Sequence, residues 1–256
     1  MSPERVSRGP QRIFGPKKYV AFHLLLSRWL RHFGSAPTYC YVTLGGTDLQ
    51  DVQDVWFVDS KLAVEAVSYE ALPERAALAE RTSAFLKEQG VDVQTIKGDF
   101  FDFVRKRDEP HIFFLDLEGI CIGGDYDRRF GEMFSTQRFR EHDAIFITSY
   151  LGRNPGWPRL FEMFDGEFRV LGLTDDADKR ACYRRAHPSF TLYRGLARMD
   201  LHGELELECF GCLEYRDTST MGVYGYCVRG GQTDFARFVS NAPFYNTVTR
   251  EFETLS

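Results

Sequence analysis

No run of about 18 consecutive apolar residues occurs in the 256-residue chain, so no transmembrane helix is expected. The first eleven residues, Met1 to Gln11, are polar and basic and lack the apolar core of a secretory signal. A dominant charge is missing too: 32 Lys and Arg stand against 37 Asp and Glu, a net charge of −5. Any nucleic acid must therefore be bound locally rather than by the whole surface. There is no internal repeat and no low-complexity tract. His111, His142, His187 and His202 form no HxxxH or HExxH spacing, which leaves a metallohydrolase without support. The six Cys are scattered, and with no export signal they read as reduced thiols of a cytoplasmic protein. Cys209 and Cys212 form a lone CxxC in a predicted strand, with no second ligand pair at the usual spacing, so no metal is expected. Cys121 has no His near it in sequence to activate it as a nucleophile.

What is present is a chain with 43% hydrophobic and 15% aromatic residues, 23 of them Phe, enough for one large domain with a thick core. Residues 1–17 form a basic arm in which Arg5, Arg8, Arg12 and Lys17 face only Glu4. An amphipathic helix follows over Lys18–Phe33, with Tyr19, Phe22, Leu26 and Trp29 at helical spacing; Gly34 and Pro37 stop it. Residues 1–37 are thus an arm and a helix preceding a main domain over 38–256. That domain opens with alternating strands and helices: strands over 38–44, 63–69, 91–96, 111–115 and 143–148, and helices over 48–58, 73–89 and 126–140. The loop over 150–158, a short helix over 159–164 and a helix over 176–198 interrupted at Pro188 come next. A hairpin of 205–215 and 221–228 closes the domain, and 242–256 is a tail or a last short element.

Gly45-Gly46-Thr47, Glu70, Asp99 and Asp116 then stand in order at the ends of the first four strands. In an open α/β sheet, ligands bind along that edge. With the terminal antiparallel hairpin, this order resembles the class I S-adenosylmethionine (SAM)-dependent methyltransferases, most clearly over Val67–Val104 and broadly over 38–229. The resemblance implies a Rossmann-like three-layer sandwich with a mostly parallel sheet, and SAM as cofactor. It implies Glu70 on the ribose hydroxyls, Asp99 on the adenine amino group with Phe100 or Phe101 against the ring, Gly45, Gly46 and Thr47 around the methionine moiety, and Asp116 beneath the sulfonium. The chain departs from the family in having Gly-Gly-Thr-Asp instead of GxGxG. It also has Asp116-Leu117-Glu118-Gly119 where amino-directed methylases carry Pro-Pro-Tyr, which disfavours base-amino methylation.

Methyl transfer sometimes needs a base for the acceptor. Asp116 and Glu118 are placed for that role, with Asp125 and Asp127 further along. Ribose 2′-O-methyltransferases use Lys, Asp, Lys and Glu. Here Lys17 or Lys18, Asp116, Arg153 in place of the second lysine, and Glu206, Glu208 or Glu214 are the counterparts; an arginine does not exchange a proton as lysine does. Tyr150, Arg153, Asn154 and Trp157 are suited to clamp a base. A weaker likeness is to the three-Cys-motif partner proteins, carried by the helix at 18–33, the FLDLEG segment and the final hairpin. It implies an alternative without catalysis, a protein partner or adaptor in a bacterial defence or mobile-element system. Nucleic acid held by the basic arm and a protein partner are both candidate interactions, and no membrane partner is expected.

Overall fold

A computed structural model describes residues 16–32, 38–44, 49, 51–53, 63–117, 125–150, 157–216, 220–246 and 251–253. Nine strands form one sheet: β1 (Tyr39–Thr43), β2 (Ala63–Glu70), β3 (Val93–Lys97), β4 (His111–Asp116), β5 (Ala144–Tyr150), β6 (Leu205–Arg216), β7 (Thr220–Gly230), β8 (Phe244–Asn246) and β9 (Glu251–Glu253). Their spatial order is β3-β2-β1-β4-β5-β7-β6-β8-β9. Strands β1 to β5 pair in parallel, and β7 enters antiparallel between β5 and β6. This is the Rossmann-like three-layer sandwich expected from the sequence, a mostly parallel sheet with an antiparallel C-terminal hairpin.

Two helices cover one face of the sheet, α1 (Pro16–His32) and α2 (Pro73–Glu88). Phe22, Leu25, Leu26 and Trp29 of α1 pack there on Tyr39, Tyr41, Phe114 and Phe146. Five helices cover the other face: α3 (Tyr126–Ser135), α4 (Trp157–Met163), α5 (Asp165–Val170), α6 (Asp176–Arg198) and α7 (Phe235–Ser240). Each fully buried large apolar side chain contributes roughly 1.5–3 kcal/mol, and the aromatic wealth of the sequence goes mostly into these two cores. Helices α3 and α6 cross where Gly131 meets Gly195. A Cβ on Gly131 would lie 2.7 Å from the Gly195 carbonyl oxygen, so only glycine permits that approach.

Two expectations are corrected. Helix α3 stops at Ser135 instead of reaching 140, because Gln137 turns into the left-handed region at φ 53° and the chain folds back to β5. Helix α6 is continuous through Pro188. A proline removes the N–H that would bond the carbonyl four residues earlier; the Tyr224 hydroxyl supplies a donor to that Arg184 carbonyl at 2.9 Å. The segment after 242 contributes β8 and β9 to the sheet. Of the helix expected over 48–58, the described residues 51–53 are helical and the rest lie outside the described residues.

At the amino end of the strands Asp143 acts as a bolt. It accepts from the backbone N–H groups of His111 (2.7 Å) and Arg140 (2.8 Å) and pairs with the Arg105 guanidinium. Arg105 also contacts Nδ1 of His111 at 2.8 Å, which fixes the start of β4 against β5. Replacing Asp143 with Ala leaves a 5%-exposed guanidinium without its counter-charge. The Asp143→Ala variant is expected to lose about 3–5 kcal/mol of stability, measured by urea unfolding; a loss under 1 kcal/mol would mean the bolt is replaceable by water.

Candidate functional site

The chain runs outward through β1, β2 and β3, then returns to place β4 on the other side of β1. That reversal makes the carboxyl ends of β1 and β4 the switch point of the sheet, the position where such sheets take ligands. Asp116 is the last residue of β4 and shares a face with Phe114, since side chains alternate along a strand. On the neighbouring strand Thr148 stands in register with it and donates its hydroxyl to Asp116 Oδ1 at 2.5 Å.

Lys18 reaches the same carboxylate from α1, forming an ion pair with Asp116 Oδ2. The packing below it explains why. Phe22 packs at a tilt on Phe114 with ring centroids 4.5 Å apart. One helical turn back from Phe22 rises about 6 Å, and two residues along the strand from Phe114 advance nearly the same distance. The two steps end at Lys18 and Asp116. Their side chains are 12% and 19% exposed, so the pair is mostly removed from water yet still reachable.

A second carboxylate lies close by. Asp51 accepts from the Thr43 hydroxyl at 2.6 Å and the Tyr41 hydroxyl at 3.0 Å, both from β1. Burial raises the Asp51 pKa to about 6; the two hydroxyl bonds and the positive charge of Lys18 oppose the rise without cancelling it. One ammonium thus serves two carboxylates. Above pH 6 the pocket carries an excess negative charge, an environment that favours a cationic ligand.

Glu70 closes β2 with its carboxylate accepting from the Leu72 N–H at 3.1 Å, and remains partly exposed. Asp99 caps a short 3-10 turn over Phe100–Asp102: Oδ1 accepts from the Phe101 N–H at 3.1 Å, and Oδ2 binds Arg129 at 2.6 Å. Glu70, Asp99 and Asp116 therefore line one edge in the expected order. Phe100 is corrected as a ligand contact: it is fully buried, packed edge-on to Tyr69 and Phe113. Phe101 is the half-buried ring beside Asp99, with the Arg129 guanidinium 5.1 Å from its centroid.

Gly45, Gly46, Thr47, Glu118, Cys121, Arg153 and Asn154 lie outside the described residues, as does the basic arm before Pro16. Asp125 is held by Arg128 and Arg129, which lower its pKa, and Asp127 pairs with Arg198 at 3.0 Å; both organise the start of α3. Glu206 and Glu208 sit near the foot of β6, opposite Arg229 and Cys227, at the far end of the sheet from Asp116. Glu214 is level with Ser149 but shares the face of Cys212, away from Lys18. None of the three therefore joins Lys18 and Asp116. Cys209 and Cys212 are buried, and burial pushes the Cys212 thiol up to about 12. Among the described residues no group of His, Cys, Asp and Glu is arranged to hold a metal ion, and no helix is long and apolar enough to cross a membrane.

Thr148, Tyr41, Thr43 and Asp51 are missing from the sequence-based candidates. Nothing local marks them; only strand register and the return of the chain after β1 bring them together. A further buried network escaped notice on the opposite face, where His187 Nε2 lies 2.6 Å from the Ser149 hydroxyl. Burial drives the His187 pKa down to about 3, so the ring is neutral and joins α6 to β5.

No protein-family profile matches the chain, and no curated protein matches it. Similar solved structures include a protein assigned as a class I SAM-dependent methyltransferase from Listeria monocytogenes, with 10% identity and a TM-score of 0.48, over 87% of this chain and 61% of that one. Trm5b from Pyrococcus abyssi aligns at 12% identity and a TM-score of 0.44, over 86% of this chain and 51% of that one. A geranyl diphosphate methyltransferase solved with SAM aligns at 11% identity and a TM-score of 0.47, over 82% of this chain and 85% of that one. The chain spans 61% and 51% of the length of the first two.

The Asp51 carboxyl gives a test of the electrostatics. The native group holds its proton up to about pH 6, whereas the unfolded one releases it near pH 3.9. Between these values the native state binds more protons, so stability falls as pH rises, and it levels off above pH 6. Relative to Asp51→Asn, which does not titrate, the wild type is expected to lose about 2 kcal/mol between roughly pH 4 and pH 7. Urea unfolding of both proteins at the two pH values reads the difference; a constant gap would remove the raised pKa.

Proposed function

We propose that the chain is a SAM-dependent methyltransferase that methylates a hydroxyl oxygen. The observation that carries the reading is the Lys18–Asp116–Thr148 cluster at the switch point between β1 and β4. The donor set fits the cofactor. Glu70 offers an acceptor for paired ribose hydroxyls, Asp99 with Phe101 offers an acceptor beside an aromatic face, and the excess negative charge around Asp51 and Asp116 suits a sulfonium. When bound, SAM would supply an electrophilic methyl group on a sulfur leaving group.

The protein's own part is positioning and proton handling. Lys18, anchored on Asp116, donates a hydrogen bond that orients the acceptor oxygen. Asp116 is placed to take the proton that the acceptor hydroxyl gives up on methylation, and the sulfur of bound SAM would carry away the bonding pair. Thr148 holds the other carboxylate oxygen so that one face of Asp116 meets the acceptor. A cytoplasmic location follows from the reduced cysteines of this reading.

A second reading, a methyltransferase-like partner or adaptor without catalysis, is favoured by Asp99, whose two oxygens are already engaged by the Phe101 N–H and Arg129.

Titration calorimetry with S-adenosylhomocysteine separates the readings. Micromolar binding is expected, at least tenfold weaker in Glu70→Ala; silence at millimolar ligand would favour the adaptor. Once an acceptor is found with labelled cofactor, Lys18→Ala is expected to cut turnover by about 10²–10⁴-fold with cofactor affinity kept within threefold. Unchanged turnover would remove Lys18 from the chemistry.

A further inference from the structure

Beyond the carboxyl edge of β5, a second surface combines flat aromatic faces with unpaired cations. Trp157 and Phe161 of α4 lie with ring centroids 5.7 Å apart and are both half-buried. Cations from the first turns of α6 stand over them. The guanidiniums of Arg180 and Arg184 are 5.6 and 5.7 Å from the Trp157 ring, Arg180 is 5.9 Å from the Phe161 ring, and the Lys179 ammonium is 5.5 Å from Phe161. Arg180 and Arg184 are exposed and four residues apart, so they share one face of the helix. Among the described residues none of these three cations makes an ion pair. The helix's own acids, Asp175, Asp176 and Asp178, stand in its cap and first turn, where Asp175 accepts from the Ala177 and Asp178 N–H groups.

The location ties this surface to the proposed site. Trp157 packs against Tyr183 with ring centroids 6.3 Å apart, Tyr183 lies 5.5 Å from His187, and His187 bonds Ser149 near the end of β5. The next residue back, Thr148, is the one that holds Asp116. The other end of α6 leads to Leu205, level with Gly230 at the foot of the sheet. The cations at 179–184 therefore lie three to eight residues outward from His187, about 4–12 Å further toward and past the carboxyl edge. An extended molecule resting on them can pass over that edge toward Asp116.

We infer that the Trp157, Phe161, Lys179, Arg180 and Arg184 face binds single-stranded nucleic acid and delivers it to the Lys18–Asp116 site, an inference that rests on the methyltransferase reading. Unpaired guanidiniums attract phosphates, and a flat ring beside them stacks a base. Among the described residues, the exposed large apolar side chains, Val20, Leu72, Leu78, Phe85, Val104 and Val170, all lie outside this set, so these side chains give the face no apolar wedge of the kind that a bilayer surface takes up. The chain's net charge of −5 makes such a local cationic patch the place where a polyanion is accommodated.

The test is fluorescence anisotropy with a labelled single-stranded RNA of about 15 nucleotides, across a series of salt concentrations. Arg180→Glu/Arg184→Glu is expected to weaken binding at least tenfold and to flatten the salt slope by about 1.4. Trp157→Ala is expected to weaken binding by roughly fivefold to a hundredfold without changing that slope, and Trp157→Phe to restore most of the loss. Arg75→Glu on α2, on the opposite face of the sheet, serves as the charge control and is expected to leave binding unchanged. Wild-type binding that is absent, insensitive to these variants, or seen only with anionic phospholipid vesicles overturns the inference. S-adenosylhomocysteine titration of the same proteins keeps the two ideas apart. Cofactor binding without RNA binding removes this surface alone, while RNA binding that responds to the variants without cofactor binding leaves the surface standing and removes the methyltransferase reading. Thermal unfolding of each variant verifies that the fold is retained.

Discussion

The ion pair between Lys18 and Asp116 is the contact on which the rest of the candidate site depends. It joins residues 98 positions apart, the first turn of α1 to the last residue of β4. An ammonium so largely removed from water needs a counter-charge, and a carboxylate at a strand end needs donors. Thr148 supplies one such donor and the Asp51 group adds a second negative charge nearby. The cluster holds α1 at the switch point while leaving Asp116 partly open to a ligand.

Apolar packing below the pair sets its geometry. Phe22 sits on Phe114 and edge-on to Phe146, and Trp29 packs on Tyr39 further down. That row orients α1 along the sheet so that its outermost turn overhangs the carboxyl edge. The sheet itself is fixed from its opposite end by Asp143, which ties β4, β5 and the loop carrying Arg105 together. Rigid elements thus surround a charged edge. The buried His187–Ser149 contact extends the same logic to the other face, where α6 is held against β5 and its cationic turns are carried out past the sheet.

Most of the architecture was legible along the chain. The alternation of apolar runs with helical stripes marked five parallel strands, and the long final hairpin marked the antiparallel closure. Asp116 and Glu70 are visible because each is the last residue of an apolar strand run. Between Phe100 and Phe101 the sequence leaves both open for a physical reason: two identical side chains are adjacent, and only the 3-10 turn after Asp99 decides which one is buried. Pro188 reads locally as a helix break because a proline removes a backbone donor, yet a hydroxyl from a strand 36 residues later meets the freed carbonyl.

By itself, the sequence determined the α/β class, the order of acidic strand ends and the amphipathic stripe of α1, because these follow from local periodicity and from which residue stands at each boundary. Tertiary structure alone decided that Lys18 meets Asp116, that Thr148 and Asp51 surround them, and that Trp157 lies under Arg180 and Arg184. Those contacts arise from strand register and from the direction in which packed helices run. Both are set by the fit of distant apolar surfaces, which no local pattern records.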